Sequence, residues 1–327
     1  MHDFIAIGDI TTDAFIKLQD PAAHIDVHDN VREVCMRFGD KAPYEDVVIV
    51  PAVGNSSNAA VAAARLGLKS ALVSNLGNDY FGKECMDVLG KEKVDTRYVR
   101  VHPNRKTNYH YVLWYEDDRT ILIKHEDYDY MLPDIDDPKW IYLSSLGEQS
   151  LPLHRAIEEF LWSHPKIKLA FQPGTFQMKL GKDVLSGLYR RADVFFCNKE
   201  EAQRILQVEE SDLKRLLKAM HALGPKIVVI TDGTKGAYAY DSREFWFMPP
   251  YPDPKPPYER TGAGDAFSST FTVALAYGMS IRDALLWAPI NSMSVVQQVG
   301  ARGGLLNRSQ LAEWLAKAPK DYAPRPL

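Results

Sequence analysis

Glu259-Arg260-Thr261-Gly262-Ala263-Gly264-Asp265-Ala266-Phe267 is the stretch on which the reading of this chain turns. A helical run follows it, Ala266 to Tyr277, and Gly278 stops that run. Gly-Ala-Gly at a helix start lets successive backbone N–H groups converge on one point with no side chain in the way. The positive end of the helix dipole adds to their pull, so the segment predicts an anion site. A carboxylate in that first turn repels phosphate and adds nothing to affinity. It has a purpose if it takes a proton from a hydroxyl that attacks a bound phosphoryl group. Asp265 is therefore a candidate general base, beside an anion hole made by Gly262, Ala263 and Gly264. Taken alone, the same residues also describe an aspartate capping a helix after a flexible turn.

Around this segment, short apolar runs alternate with amphipathic ones. Phe4–Ile7, Ala71–Val73, Ile141–Leu143, Lys168–Phe171, Val194–Phe196 and Ile227–Ile230 read as buried strands. Ser56–Leu66, Phe81–Leu89 and Leu153–Trp162 read as helices. The alternation predicts βαβ units: an α/β fold with a mostly parallel central sheet flanked by helices. Two stretches interrupt it. Val31–Pro51 reads as two strands around the turn Phe38–Asp46, and Tyr109–Lys124 as a hairpin with the charged turn Glu116–Arg119. Both are candidates for a small β-sheet lid, and an ordinary edge hairpin fits the pattern as well. Pro249–Pro257, where six of nine residues are proline, must be extended, since proline lacks the N–H a ladder needs.

Three further segments carry candidate binding groups. Gly54-Asn55-Ser56-Ser57-Asn58 opens an Ala-rich helix with small polar residues able to hold ligand hydroxyls. Thr231-Asp232-Gly233-Thr234-Lys235-Gly236 follows a strand with two glycines placed to approach a nucleotide, or to make a tight turn. Asn198-Lys199-Glu200-Glu201 reads as a helix N-cap with its capping-box partner.

Composition closes other routes. The chain has 327 residues, 46% hydrophobic and 25% charged, which is a soluble globular balance. A net charge of -4 offers no basic field for nucleic acid or an anionic membrane. Cys35, Cys85 and Cys197 lie far apart, which excludes a disulfide framework and a cysteine zinc site and fits a reducing compartment. The nine histidines show no metal-ligand spacing, so no structural metal is expected. Without a basic-then-apolar leader or a bilayer-length apolar run, a cytoplasmic protein is expected. Gly77 to Lys83 has the P-loop spacing, but Glu84 stands where a magnesium-holding hydroxyl belongs, and a P-loop is rejected.

The ordered set of these segments resembles the ribokinase-like, or PfkB-type, carbohydrate kinases over essentially the whole length. Glu259–Phe267 is similar to the family's DTxGAGDxF signature, Val53–Asn58 through Arg65-Leu66-Gly67 to its first signature, Asn198–Glu201 to its NxxE motif and Thr231–Gly236 to its TxGxxG turn. The resemblance implies a ribokinase-like sandwich over residues 1–327, with a lid from segments near 11–52 and 104–126. It implies transfer of the ATP γ-phosphoryl group to a hydroxyl of a pentose or hexose, with Asp265 as base. Asp13, Gly54, Asn55 and Asn58 would meet the acceptor. Asn198, Thr231, Gly233, Gly236 and Asn291 would meet ATP, and Glu201 would position Mg2+ through water. Glu259 stands where the family has aspartate near a monovalent cation, which implies K+ there. The aromatics Phe15, Phe38, Tyr44, Tyr109, Tyr111 and Trp114 would suit a nucleobase if the acceptor were a nucleoside. A non-catalytic sugar or nucleotide sensor has no use for Asp265. Lids of this kind pair into homodimers; neither nucleic acid nor membrane is expected as a partner.

Overall fold

Phe4-Ile5-Ala6-Ile7, wholly buried, lies inside a ten-stranded sheet and has a parallel neighbour on each side. The computed structural model describes residues 1–20, 22–28, 31–116 and 118–327, and only the backbone of residue 118. In chain order the elements are β1 (Phe4–Ile7), β2 (Thr11–Leu18), β3 (Ala23–His28), β4 (Val31–Met36), β5 (Tyr44–Val53), α1 (Asn55–Arg65), β6 (Ser70–Gly77), α2 (Tyr80–Lys91), β7 (Val99–His102), β8 (Tyr109–Tyr115) and β9 (Asp118–Leu122). Next come β10 (Trp140–Leu143), α3 (Leu151–Ser163), β11 (Lys168–Phe171), α4 (Thr175–Leu180), α5 (Ser186–Arg191), β12 (Val194–Asn198), α6 (Lys199–Leu206), α7 (Leu213–His221) and β13 (Ile227–Thr231). The last are β14 (Ala237–Tyr240), β15 (Phe245–Met248), α8 (Ala263–Ala276), α9 (Ile281–Val295), α10 (Arg308–Ala316) and β16 (Arg325–Pro326).

The large sheet runs β16-β15-β14-β13-β12-β11-β10-β1-β6-β7, parallel from β13 to β7 and antiparallel beyond β13. Side chains alternate across it, so each strand feeds two cores. Phe4, Ala6, Leu72, Tyr142 and Phe196 pack with α1, α8 and α9, while Ile5, Ile7, Ile141, Phe171 and Phe195 pack with α3 and α7. A helix layer on each face is the arrangement that strands buried on both sides require. No helix among the described residues is long and apolar enough to cross a membrane.

Four more strands form a separate sheet, β5-β2-β8-β9, and β3 pairs with β4 alone. Asp13 of β2 stands opposite Val50 and His110, and Trp114 of β8 stands opposite Lys17 and Arg119. Asp13, Phe15, His110, Val112, Trp114 and Arg119 therefore share one face. Ile49, Ala14, Tyr111 and Leu122 line up across the other.

Two sequence expectations change here. The two strands in Val31–Pro51 exist but do not pair with each other: β4 folds back on β3, and β5 pairs with β2. The linking segment, residues 37–43, holds one Gly and one Pro and carries the chain away from β4, and the Val-rich β5 finds its partner in β2. The charged turn expected at Glu116–Arg119 is shorter, since β9 begins at Asp118 and Arg119 lies within it; residue 117 lies outside the described residues.

Candidate active site

The carboxyl ends of β1, β10, β11, β12 and β13 converge beside the N-terminus of α8, the crevice where open α/β sheets hold their ligands. Gly262 caps α8 with φ +80°, and a Cβ there would fall 2.2 Å from the Ala301 Cβ, so no other residue fits. Ser292 donates to the Ala263 carbonyl at 2.9 Å and ties this turn to α9. Among the described residues the Gly264 and Asp265 amides have no hydrogen bond and the Ala263 amide reaches only the Arg260 carbonyl, at 3.5 Å, so this helix start can face a ligand.

Asp265, in the first turn of α8, is held by two neutral donors. Asn58 Nδ2 from α1 meets Oδ2 at 2.9 Å, and Gln172 Nε2, just after β11, meets Oδ1 at 3.2 Å. Tyr142 OH in turn donates to Gln172 Oε1. Burial pushes the Asp265 carboxyl above the usual aspartate range and the nearby Asp13 charge adds to this, while the two amide donors pull the other way. A carboxylate raised in this manner is a better proton acceptor than a free aspartate.

On one side of Asp265 opens a cavity of about 280 Å³ lined by Thr231, Gly233, Gly236, Tyr251, Gly264 and Pro289, among others. The Pro-rich segment supplies one wall through Pro249 and Pro250. Pro289, inside α9, also lines the cavity.

On the other side stands a polar cluster. Asp13 Oδ1 lies 3.4 Å from His110 Nδ1, and the His110 and His125 rings are 5.3 Å apart. His125 Nδ1 approaches Asp9 Oδ2 at 3.3 Å, and Tyr130 OH donates to the same oxygen at 2.8 Å. Gly54 must be glycine, because at φ +115° a Cβ would sit 2.6 Å from the Asp9 carbonyl oxygen. Asp9 Oδ1, Asp13 Oδ1, Asn58 Oδ1 and His110 Nε2 are buried with no hydrogen-bond partner among the described residues. Buried polar atoms are almost always paired, so such a concentration is what a hydroxyl-rich ligand would satisfy.

The sequence-predicted residues divide as follows. Gly262, Ala263, Gly264, Asp265, Asn58, Gly54 and Asp13 come together around one point, and Asn55 opens α1 beside them, half-buried. Thr231, Gly233 and Gly236 line the cavity. Asn198 and Glu201 form the expected capping box, with 2.8 Å bonds in both directions. Burial raises the Glu201 carboxyl, and the Asp265 charge acts on it too.

Asn291 is a correction. It is fully buried, donates to Thr270 Oγ1 at 2.8 Å and accepts from the Leu306 amide at 2.9 Å, so it braces α9 and does not reach the cavity. Glu259 is buried, accepts the Thr261 N–H at 2.6 Å and has Arg119 Nε 3.6 Å from its Oε1. The cation beside it is thus an arginine from β9. Asp9, Gln172, His110, His125 and Arg119 escaped the sequence reading; the only local signal was the position of Asp9 just past the end of β1.

The pfkB family carbohydrate kinase profile matches residues 23–308. Bacillus subtilis ribokinase is 28% identical over 270 residues, covering 80% of this chain and 87% of that protein. Cytidine kinase of Thermococcus kodakarensis is 28% identical over 243 residues, covering 71% and 83%. The structure of Arabidopsis thaliana ribokinase complexed with ribose and ATP superposes with a TM-score of 0.79 at 20% identity, over 96% of this chain and 98% of that one.

Proposed function

From the premise that this chain belongs to the pfkB family of carbohydrate kinases, phosphotransferases with an alcohol group as acceptor, we propose that it transfers the γ-phosphoryl group of ATP to a hydroxyl of a small sugar. The observation that carries this is Asp265 held between Asn58 and Gln172, with the anion hole at its own helix terminus and the hydroxyl-seeking cluster in front of it. Asp13, Asn58 and His110 hold the acceptor. Asp265 takes the proton of the attacking hydroxyl as its oxygen bonds to phosphorus, and the bond from that phosphorus to ADP breaks. Charge that develops on the phosphoryl oxygens is met by the amides of Gly262, Ala263 and Gly264.

The residues fit Mg2+ held through water. One Glu201 oxygen is bound to the Asn198 amide and the other has no hydrogen bond among the described residues. The ion would neutralise phosphate charge. The fit for K+ at Glu259 is poor, because Arg119 already supplies the positive charge and a second cation would meet it at close range. Potassium is therefore no part of this reading.

The domain reading is one kinase domain over residues 1–327, cytoplasmic, with the four-stranded sheet as a lid that closes on the acceptor. Of the lid aromatics, Phe38, Tyr44 and Tyr111 are exposed, while Phe15 is buried, Tyr109 packs on Phe81 and Trp114 on Tyr258. They form no sandwich for a nucleobase, which favours a sugar. Val47, Ile49, Tyr111 and Leu122 expose an apolar outer face, which would be covered in a homodimer. Sedimentation at dimer mass is expected; a single 36.9 kDa species would refute it. The function is tested by acceptor-dependent ADP release with Mg2+ and ATP over pentoses, hexoses, adenosine and cytidine. A sugar alone should support turnover. A nucleoside alone would transfer the role to a base-recognising lid.

A further inference from the structure

The β3–β4 hairpin, outside the site just described, gathers three donors of different chemistry. His24 and Cys35 stand directly opposite each other in register, and Asp26 follows on the same face. A ligand atom from each lies within 4.8 Å of the other two, and His24 Nε2 is 3.6 Å from Asp26 Oδ2. Glu33, opposite Asp26, adds a further negative charge to that face. The other face of the hairpin is apolar at Ile25 and Val34, which line a groove with Leu113, Tyr115 and Thr120 of the four-stranded sheet. The donor face is thereby turned outward: His24 is exposed, and Asp26 and Cys35 are half-buried. No spacing along the chain reveals the set, because strand pairing brings Cys35 across to His24.

We propose that this face binds a divalent ion of borderline softness, typified by Zn2+, through His24, Asp26 and Cys35. Imidazole, carboxylate and thiolate are the ligands such an ion takes in tetrahedral geometry, and three of them leave the fourth position open. At normal bond lengths, donors around tetrahedral zinc lie roughly 3.5 Å apart, so a small closure of the pair seats the ion. Mg2+ demands an octahedron of oxygens and is refused. The bound ion fastens β3 to β4. The Arg32–Glu116 pair, at 3.0 Å, links the hairpin to the end of β8.

The test is titration of chelator-stripped protein with Co2+, followed by absorption. A thiolate-to-cobalt charge-transfer band should saturate at one equivalent and be displaced by Zn2+. Cys85 and Cys197 are buried, so the band reports Cys35. It should vanish in Cys35→Ser, and affinity should fall about tenfold or more in Asp26→Asn and His24→Ala. Zn2+ should raise the melting temperature of the wild type and leave that of Cys35→Ser unchanged. All three variants should melt with the wild type when stripped of metal, as an intact fold requires. Absence of the band, or its persistence in Cys35→Ser, overturns the proposal.

Discussion

On the side proposed for the nucleotide, most of the assigned groups are local in the chain: the amides at the start of α8, the turn after β13 and the Pro-rich wall each come from one contiguous segment, with Pro289 of α9 beside them. The side proposed for the acceptor is built from side chains brought in by distant elements. Asp9 follows β1, Asp13 comes from β2, Asn58 from α1, Gln172 from the end of β11 and His110 from β8. The first side rests on the packed body of the molecule. The second depends on a small sheet that touches the α8 approach through Trp114 against Tyr258 and Arg119 against Glu259. The difference implies that transfer chemistry and acceptor choice can change separately, with Asp265 the one group that both sides share.

The largest effect expected from breaking this shared point is that of Asp265→Asn. Losing a general base should lower turnover by roughly 10²–10⁴-fold while ATP still binds, measured by ADP release and by nucleotide titration. The same variant should melt higher at neutral pH. The folded-state pKa of Asp265 is raised, so the folded chain holds that proton more tightly than the unfolded one. Stability from this group is lost as pH rises through the raised value, and the ionised form is a cost above it. A melting temperature below wild type would contradict that sign.

Gly262→Ala breaks only the helix-start side. Its Cβ would collide with Ala301 in a left-handed conformation, costing about 1–3 kcal/mol in denaturant melts. Displacing the amides should slow transfer by about 10²–10³-fold. Arg119→Gln instead loosens the four-stranded sheet from the body and leaves the buried Glu259 charge without this partner, for a loss of roughly tenfold or more in kcat/KM. Wild-type rates should be the same in potassium and in choline salts. In Arg119→Gln, potassium should restore part of the loss; potassium dependence of the wild type would show that Arg119 does not replace that ion.

The comparison also explains what could be read from sequence. The GAGD turn, the Asn198–Glu201 capping box and the glycines after β13 are local: a few neighbouring residues state both conformation and chemistry. The parallel sheet was legible for the same reason, since each strand carries its own apolar run. His110, His125 and Gln172 are single polar residues whose partners lie far away in the chain, and only the folded arrangement of strands, loops and α8 brings them together. Asn291 misled because an asparagine on a helix beside the cavity reads the same whether it faces the ligand or the core. The partner of β5 was equally hidden, since apolar alternation says which face is buried and not which strand covers it.

The central claim is that a buried carboxylate, its affinity for protons raised by burial and by Asp13, drives the transfer. The pH dependence of kcat/KM in the wild type and in Asp13→Asn tests it most directly, since that ratio reports the free enzyme. Activity should fall on the acid side with an apparent pKa above the ordinary aspartate value of 3.8. In Asp13→Asn the like charge is gone, so that limb should move to lower pH even as the acceptor binds less well. A limb that stays in place when Asp13 is neutralised, or a rate that holds flat below pH 3.8, would contradict the account.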